Sequence, residues 1–137
     1  MSAWAYLPNA PHIDRVLKHM TENPARWDAA WDAAWGDVWN AAWNAAWNAA
    51  WETAWNANRG DAWNAAWEAA RNTAEDAARD AARIASWGAV SALVAWDDCA
   101  HLLDLTPEAV KGIARISDSQ AAILLLPAVI ALHLEGA

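Results

Sequence analysis

Asp97, His101 and Asp104 stand four and three residues apart, so on a helix they would share one face, where two carboxylates and an imidazole could ligate a divalent cation. The same stretch sets Trp96, Cys99, Leu102 and Leu103 on the opposite side, the ordinary pattern of a solvated helix face over a core, so no metal site is expected. Cys99 falls on the apolar side and reads as a small buried hydrophobe, not a nucleophile. His12 and His19 fall off the apolar face of a first helix and His133 ends the last one, so no spacing links the histidines. There is no Gly-rich phosphate loop, no CxxC pair and no serine elbow. The expectation is a non-enzyme with no catalytic residues, no metal and no cofactor.

The residues that could do physical work are the tryptophans. Trp27, Trp31, Trp35, Trp39, Trp43, Trp47, Trp51 and Trp55 recur at every fourth position, Trp63 and Trp67 resume the register, and Trp87 falls in phase. The chain holds 13 Trp and no Phe. Each indole can bury roughly 150–250 Å², whereas the largest apolar patch of a typical monomer is about 300–600 Å². The ten from Trp27 to Trp67 are therefore the expected packing and interaction residues. At about 25 cal/mol per Å² they represent on the order of 40 kcal/mol of gross burial, an upper bound before conformational entropy.

The element that must carry them is helical. Residues 24–87 are built from units such as Trp-Asn-Ala-Ala, and Ala has the strongest helix preference of any residue. A four-residue step advances about 400°, so each Trp lies about 40° further round than the one before. From Trp27 to Trp55 the stripe would wind about 280° on a straight helix, too far for one seam, so the helix must be covered from several sides. The Ala pairs offer a shelf on which indoles of another helix can lie. Asp28, Asp32, Asn40, Asn44, Asn48, Glu52, Asn56, Asn64 and Glu68 each follow a Trp and are the expected acceptors for buried indole N–H groups.

Two arrangements follow from Asn58-Arg59-Gly60-Asp61. Its turn chemistry predicts a helical hairpin of 24–57 against 62–87, whereas the unbroken register, with Arg59 in a Trp position, allows one continuous helix. A helix of ~60 residues would be ~90 Å long and would need several chains to cover it. After Trp67 the position passes to Arg71, Glu75, Arg79 and Arg83. In a hairpin these would face Trp47, Trp43, Trp39 and Trp35 and could stack on them; otherwise they form a solvated stripe tied by ion pairs such as Glu75 with Arg79.

The flanks have ordinary complexity. Ile13, Val16, Leu17 and Met20 predict a short lead-in helix within residues 1–23, opened by Pro11 and closed by Asn23-Pro24. In 88–137, Ala89 to Leu105 shows helical spacing, Thr106-Pro107-Glu108 starts a helix over about 107–116, and Ser117-Asp118-Ser119 starts another over about 119–134 with Pro127 inside it. The fold class is all-α, a single helical domain over 1–137 in which a long helix or hairpin packs with short terminal helices, and a homo-oligomer is expected. A net charge of −8 with scattered basic residues disfavours nucleic acid. The apolar run Ala121–Leu132 is shorter than the ~20 residues of a membrane span. One cysteine and no secretory leader fit a cytoplasmic, reducing compartment.

Tyr6-Leu7-Pro8-Asn9-Ala10-Pro11-His12-Ile13-Asp14-Arg15-Val16, Val94-Ala95-Trp96-Asp97-Asp98-Cys99 and Ile123-Leu124-Leu125-Leu126-Pro127-Ala128 frame the repeat. In this the chain resembles uncharacterised bacterial and phage proteins with Ala/Trp-rich tetrapeptide repeats. The resemblance implies a bacterial or phage setting and brings no active site with it. Three roles remain, in descending order: a structural or interaction protein that self-associates through Trp/Ala packing; a binding module that sequesters a flat aromatic molecule such as a nucleotide between indoles; and a membrane-active helix, disfavoured by the regular Asn, Asp and Glu.

Overall fold

The repeat does not form one helix, nor a simple hairpin. In a computed structural model that describes residues 2–35, 40–75, 80–116 and 119–133, it is divided among four helices. The order is α1 (Ala10–Glu22), α2 (Pro24–Trp35), α3 (Asn40–Asn56), α4 (Gly60–Glu75), α5 (Asp80–Ala95), a short 3-10 helix (Ala100–Asp104), α6 (Pro107–Ile116) and α7 (Gln120–His133). Among the described residues all regular structure is helical. Trp39 and Arg79 lie outside the described residues, as do the side chains of Trp35 and Glu75.

Two apolar helices form the interior. Every residue of α7 from Ala122 to Ala131 is buried, Pro127 included, without ending the helix. The second half of α5, Gly88 to Ala95, is likewise buried. A helix apolar on all sides must be covered on all sides, and α5 packs against α1, α2, α3, α4 and α7, while α7 packs against α2, α3, α5 and α6. α2, α3 and α4 thus help coat an apolar pair, the second half of α5 and α7, that follows them in the chain.

Local chemistry places the boundaries. The buried face of α1 is Ala10, Ile13, Val16, Leu17 and Met20, as its spacing predicts. Asn23 alone separates α1 from α2: its N–H donates to the His19 carbonyl at 2.9 Å, its own carbonyl accepts from Arg26 at 3.0 Å, and Pro24 opens α2 where no donor is needed. Thr106 caps α6, accepting from the Ala109 N–H at 3.2 Å, and Ser119 caps α7, accepting from the Ala122 N–H at 3.2 Å. The helical spacing of Ala89 to Leu105 does not produce one helix. α5 stops at Ala95 and the chain turns before the 3-10 segment.

Between α3 and α4 the turn is specific. Asn58 takes a positive φ of 60°, the left-handed conformation that Asn tolerates better than most residues. The Arg59 N–H donates to the Ala54 carbonyl at 2.8 Å and the Asn58 N–H to the Trp55 carbonyl at 3.1 Å, the paired bonds of a Schellman ending. From this turn the two helices diverge: α3 lies on α7 and α5, and α4 on α5 and α1.

Breaking the repeat is what reconciles it with the 40° drift. On α3, Trp43 is 8% exposed, Trp47 half-buried, and Trp51 and Trp55 both 43% exposed. Relative to Trp43 these lie at about 0, 40, 80 and 120° around the helix, while Ala46, Ala50 and Ala54, all fully buried, fall at about −60, −20 and +20°. Alanine takes over the inward face as the indoles wind outward. α2 and α4 repeat the sequence: Trp27 buried and Trp31 half-buried over Ala30 and Ala34, then Trp63 buried and Trp67 half-buried over Ala66 and Ala70. Each helix ends before its stripe has circled it.

Candidate interaction surface

Pairs of indoles join consecutive repeat helices. Trp31 of α2 meets Trp43 of α3 edge to face, with ring centroids 5.5 Å apart. Trp47 of α3 meets Trp63 of α4 at 5.6 Å, and Trp67 of α4 stacks on Trp87 of α5 at 5.0 Å. In each pair the outward-winding Trp of one helix covers the first inward Trp position of the next. Gly88, beside Trp87, permits a close approach: a Cβ there would lie 3.1 Å from the Trp43 ring and 3.2 Å from the Leu124 carbonyl oxygen.

Trp27, Trp43 and Trp47 do not use the acceptors expected from the sequence. Trp27 donates to Nδ1 of His19 at 2.9 Å, and Trp4 donates to Asp14 at 2.9 Å. The buried N–H groups of Trp43, Trp47 and Trp87 have no hydrogen-bond partner. The physical reason is direction: Asn44 and Asn48 lie about 100° round the helix from the Trp each follows, and both are exposed.

Arg71 is exposed, as the solvated stripe requires, and the stack across a hairpin is absent. Arg71 sits over Trp67 of its own helix, 5.6 Å from the ring centroid, rather than over Trp47 across a hairpin. It lies about 80° from Trp63, where α3 places Trp51 relative to Trp43, and it is exposed. Where the drift brings the stripe to water, α4 exchanges indole for guanidinium.

Arg59 is the residue whose role the sequence conceals. Its guanidinium donates to the Val94 carbonyl at 2.9 Å and to both carboxylate oxygens of Asp97, at 2.7 and 3.0 Å. The hydrogen bond raises the pKa of Arg59 and lowers that of Asp97. Asn9, buried, donates through one amide nitrogen to the carbonyls of Leu93 (2.9 Å) and Trp96 (2.8 Å). The thiol of Cys99 donates to the carbonyls of Ala92 and Trp96. Two distant segments, with the nearby Cys99 thiol, therefore satisfy carbonyls at the C-terminus of α5, and two of the framing segments, around Asn9 and Val94–Cys99, meet there.

This arrangement removes the metal constellation. Asp97 is bound to Arg59, Asp104 pairs with Arg15 at 3.1 Å, and α5 ends before either His101 or Asp104. Among the described residues no three His, Cys, Asp or Glu side chains cluster as metal ligands would. A groove of about 270 Å³ does bring Asp98, Cys99, His101 and Ser119 to one wall. Burial pushes the Cys99 thiol up to about 12, the opposite direction from a nucleophilic cysteine.

What the fold leaves open is the end of α3. Tyr6, Trp51 and Trp55 are the exposed large hydrophobic residues among those described. The Trp51 and Trp55 rings lie 5.7 Å apart and inclined at 54°. Trp55 lies directly on Gly60, where any Cβ would strike the ring, and with Asn58, Gly60 and Asp61 it lines a groove of about 200 Å³. Arg59 holds this turn to α5, so the groove stands on a fixed base. Among the described residues no helix is long and apolar enough to cross a membrane. No protein family, curated protein or solved structure matches the chain.

Proposed function

We propose that this is a non-enzymatic interaction protein that self-associates through the outward indole face of α3, in the cytoplasm of a bacterial or phage-infected cell. One observation carries the reading: α3 keeps Trp51 and Trp55 at 43% exposure, in the solvent-facing part of the register where α4 has Arg71. Helix geometry does not require indoles there, and two exposed aromatic rings are the residue type that anchors interfaces. Most of the tryptophan surface expected to drive assembly is used within one chain. The remaining face is small beside the ~800 Å² per partner of a standard interface, so the association is weak and reversible.

Sequestering a flat ligand between indoles is the weaker role. Two rings holding a third between them stand about 7 Å apart, two van der Waals layers, and the inter-helix pairs are closed at 5.0–5.6 Å. Sedimentation velocity over a wide concentration range tests self-association. The weight-average mass should rise with concentration for the parent chain and stay at that of a monomer for Trp51→Gln/Trp55→Gln. A parent chain monomeric at every concentration would defeat the proposal.

A further inference from the structure

We propose that the groove lined by Trp55, Asn58, Gly60 and Asp61, with the Trp51 ring against that of Trp55, is a binding site for a small, free quaternary ammonium compound. In α4 the chain supplies a cation to its own solvent-side indole, with Arg71 four residues after Trp67 and 5.6 Å from its ring. The register offers Trp55 the same arrangement with Arg59, but the turn at Asn58 carries that guanidinium to Val94 and Asp97. Trp55 and Trp51 are left half-exposed and inclined to each other. Aromatic faces in this state attract cations.

Charge and shape narrow the ligand. Glu52, exposed, lies one helical turn from Trp55 at i, i+3, and the exposed Asp61 lines the groove with Trp55, so the charge near the indole is negative. The chain carries a net charge of −8 and its nearest cation, Arg59, is already paired with Asp97. A primary ammonium is compact and strongly hydrated. A methylated one loses less hydration and presents apolar methyl groups to a groove walled by Trp55 and Gly60. The groove, at about 200 Å³, holds such a headgroup but not a large ligand.

The site is distinct from self-association, although it uses the same indoles, so binding is measured at a dilution where sedimentation finds monomer. Choline and its neutral isostere 3,3-dimethyl-1-butanol are titrated at constant ionic strength into ¹⁵N-labelled protein, following the indole N–H resonances. Choline should shift those of Trp51 and Trp55 saturably and bind about fivefold or more tightly than the isostere. Asp61→Asn should weaken choline severalfold and leave the isostere unchanged, and Trp55→Leu, at an exposed position, should abolish the preference with the thermal midpoint retained. Equal affinity for the two compounds, shifts confined to other indoles, or an unaffected Trp55→Leu variant would overturn the site. Binding to phosphatidylcholine vesicles without binding to free choline would overturn the assignment to a free ligand.

Discussion

α3 and α4 begin from nearly the same sequence and finish differently. Both place a buried Trp first, at Trp43 and Trp63, and a half-buried one second, at Trp47 and Trp67. Both keep an alanine row beneath, Ala46, Ala50 and Ala54 in one and Ala62, Ala66 and Ala70 in the other. At the third position α4 turns to arginine, which reaches water and lies back over Trp67, whereas α3 continues with Trp51 and Trp55. A tetrapeptide repeat on a 3.6-residue helix can supply a core residue for only two or three units before it faces solvent. Indoles beyond that point are not needed by the core, and α3 has two of them.

The sharpest way to break this comparison is to treat the indoles of α3 as equivalent. Trp43→Ala should cost about 3–5 kcal/mol, because its ring is buried against Trp31 and beside Gly88 and leaves a cavity between three helices. Trp51→Ala, on the same helix two turns later, should cost well under half as much. Denaturant midpoints at constant m-value measure both. Similar losses at the two positions would mean that the winding register does not govern burial.

A smaller effect tests the turn that separates the two helices. Arg59→Met removes the donor to Val94 and the bidentate partner of Asp97, and should cost about 1–2 kcal/mol, mostly from the carbonyl left open at the end of α5. The Asp97 part is pH-dependent. Its pKa is lowered in the folded chain, so its contribution is present above the ordinary carboxylate range and is lost as pH falls through the depressed folded value. The parent should therefore lose part of its advantage over Arg59→Met below about pH 4. A difference constant from pH 7 to pH 2.5 would remove Asp97 from the account.

How much of this can be read from the chain follows from the range of each cause. Local causes are legible: the i, i+3, i+4 face of α1, the Thr106-Pro107 start of α6, the turn residues at Asn58 and Gly60, and the 40° drift itself. The all-α class follows from these. Long-range causes are not. Nothing near Arg59 indicates that its partners are Val94 and Asp97, and nothing near Asn9 points to Leu93 and Trp96, because those bonds depend on where α5 ends. His19 accepts from Trp27 only because Asn23-Pro24 folds α2 back on α1. Among the interaction residues chosen by spacing, burial separates Trp27, Trp43 and Trp63 from Trp51 and Trp55, and that division depends on the helix boundaries, which a continuous register conceals.

The smallest expected effect on stability comes from making α4 resemble α3. Arg71→Trp would place a third indole in the α4 stripe, at an exposed position about 80° from Trp63. Stability should change by no more than about 0.5 kcal/mol, since little new area is buried and the lost cation–π contact is exposed. Self-association should increase, because the chain then presents an additional unpaired indole without its cation. The reciprocal change, Trp51→Arg, should leave stability equally unaltered and reduce association. Equilibrium sedimentation of the two variants beside the parent separates surface from core: opposite shifts in association with flat thermal midpoints place the function of the third position outside the fold. Thermal midpoints that move with association would instead make that position part of the packing.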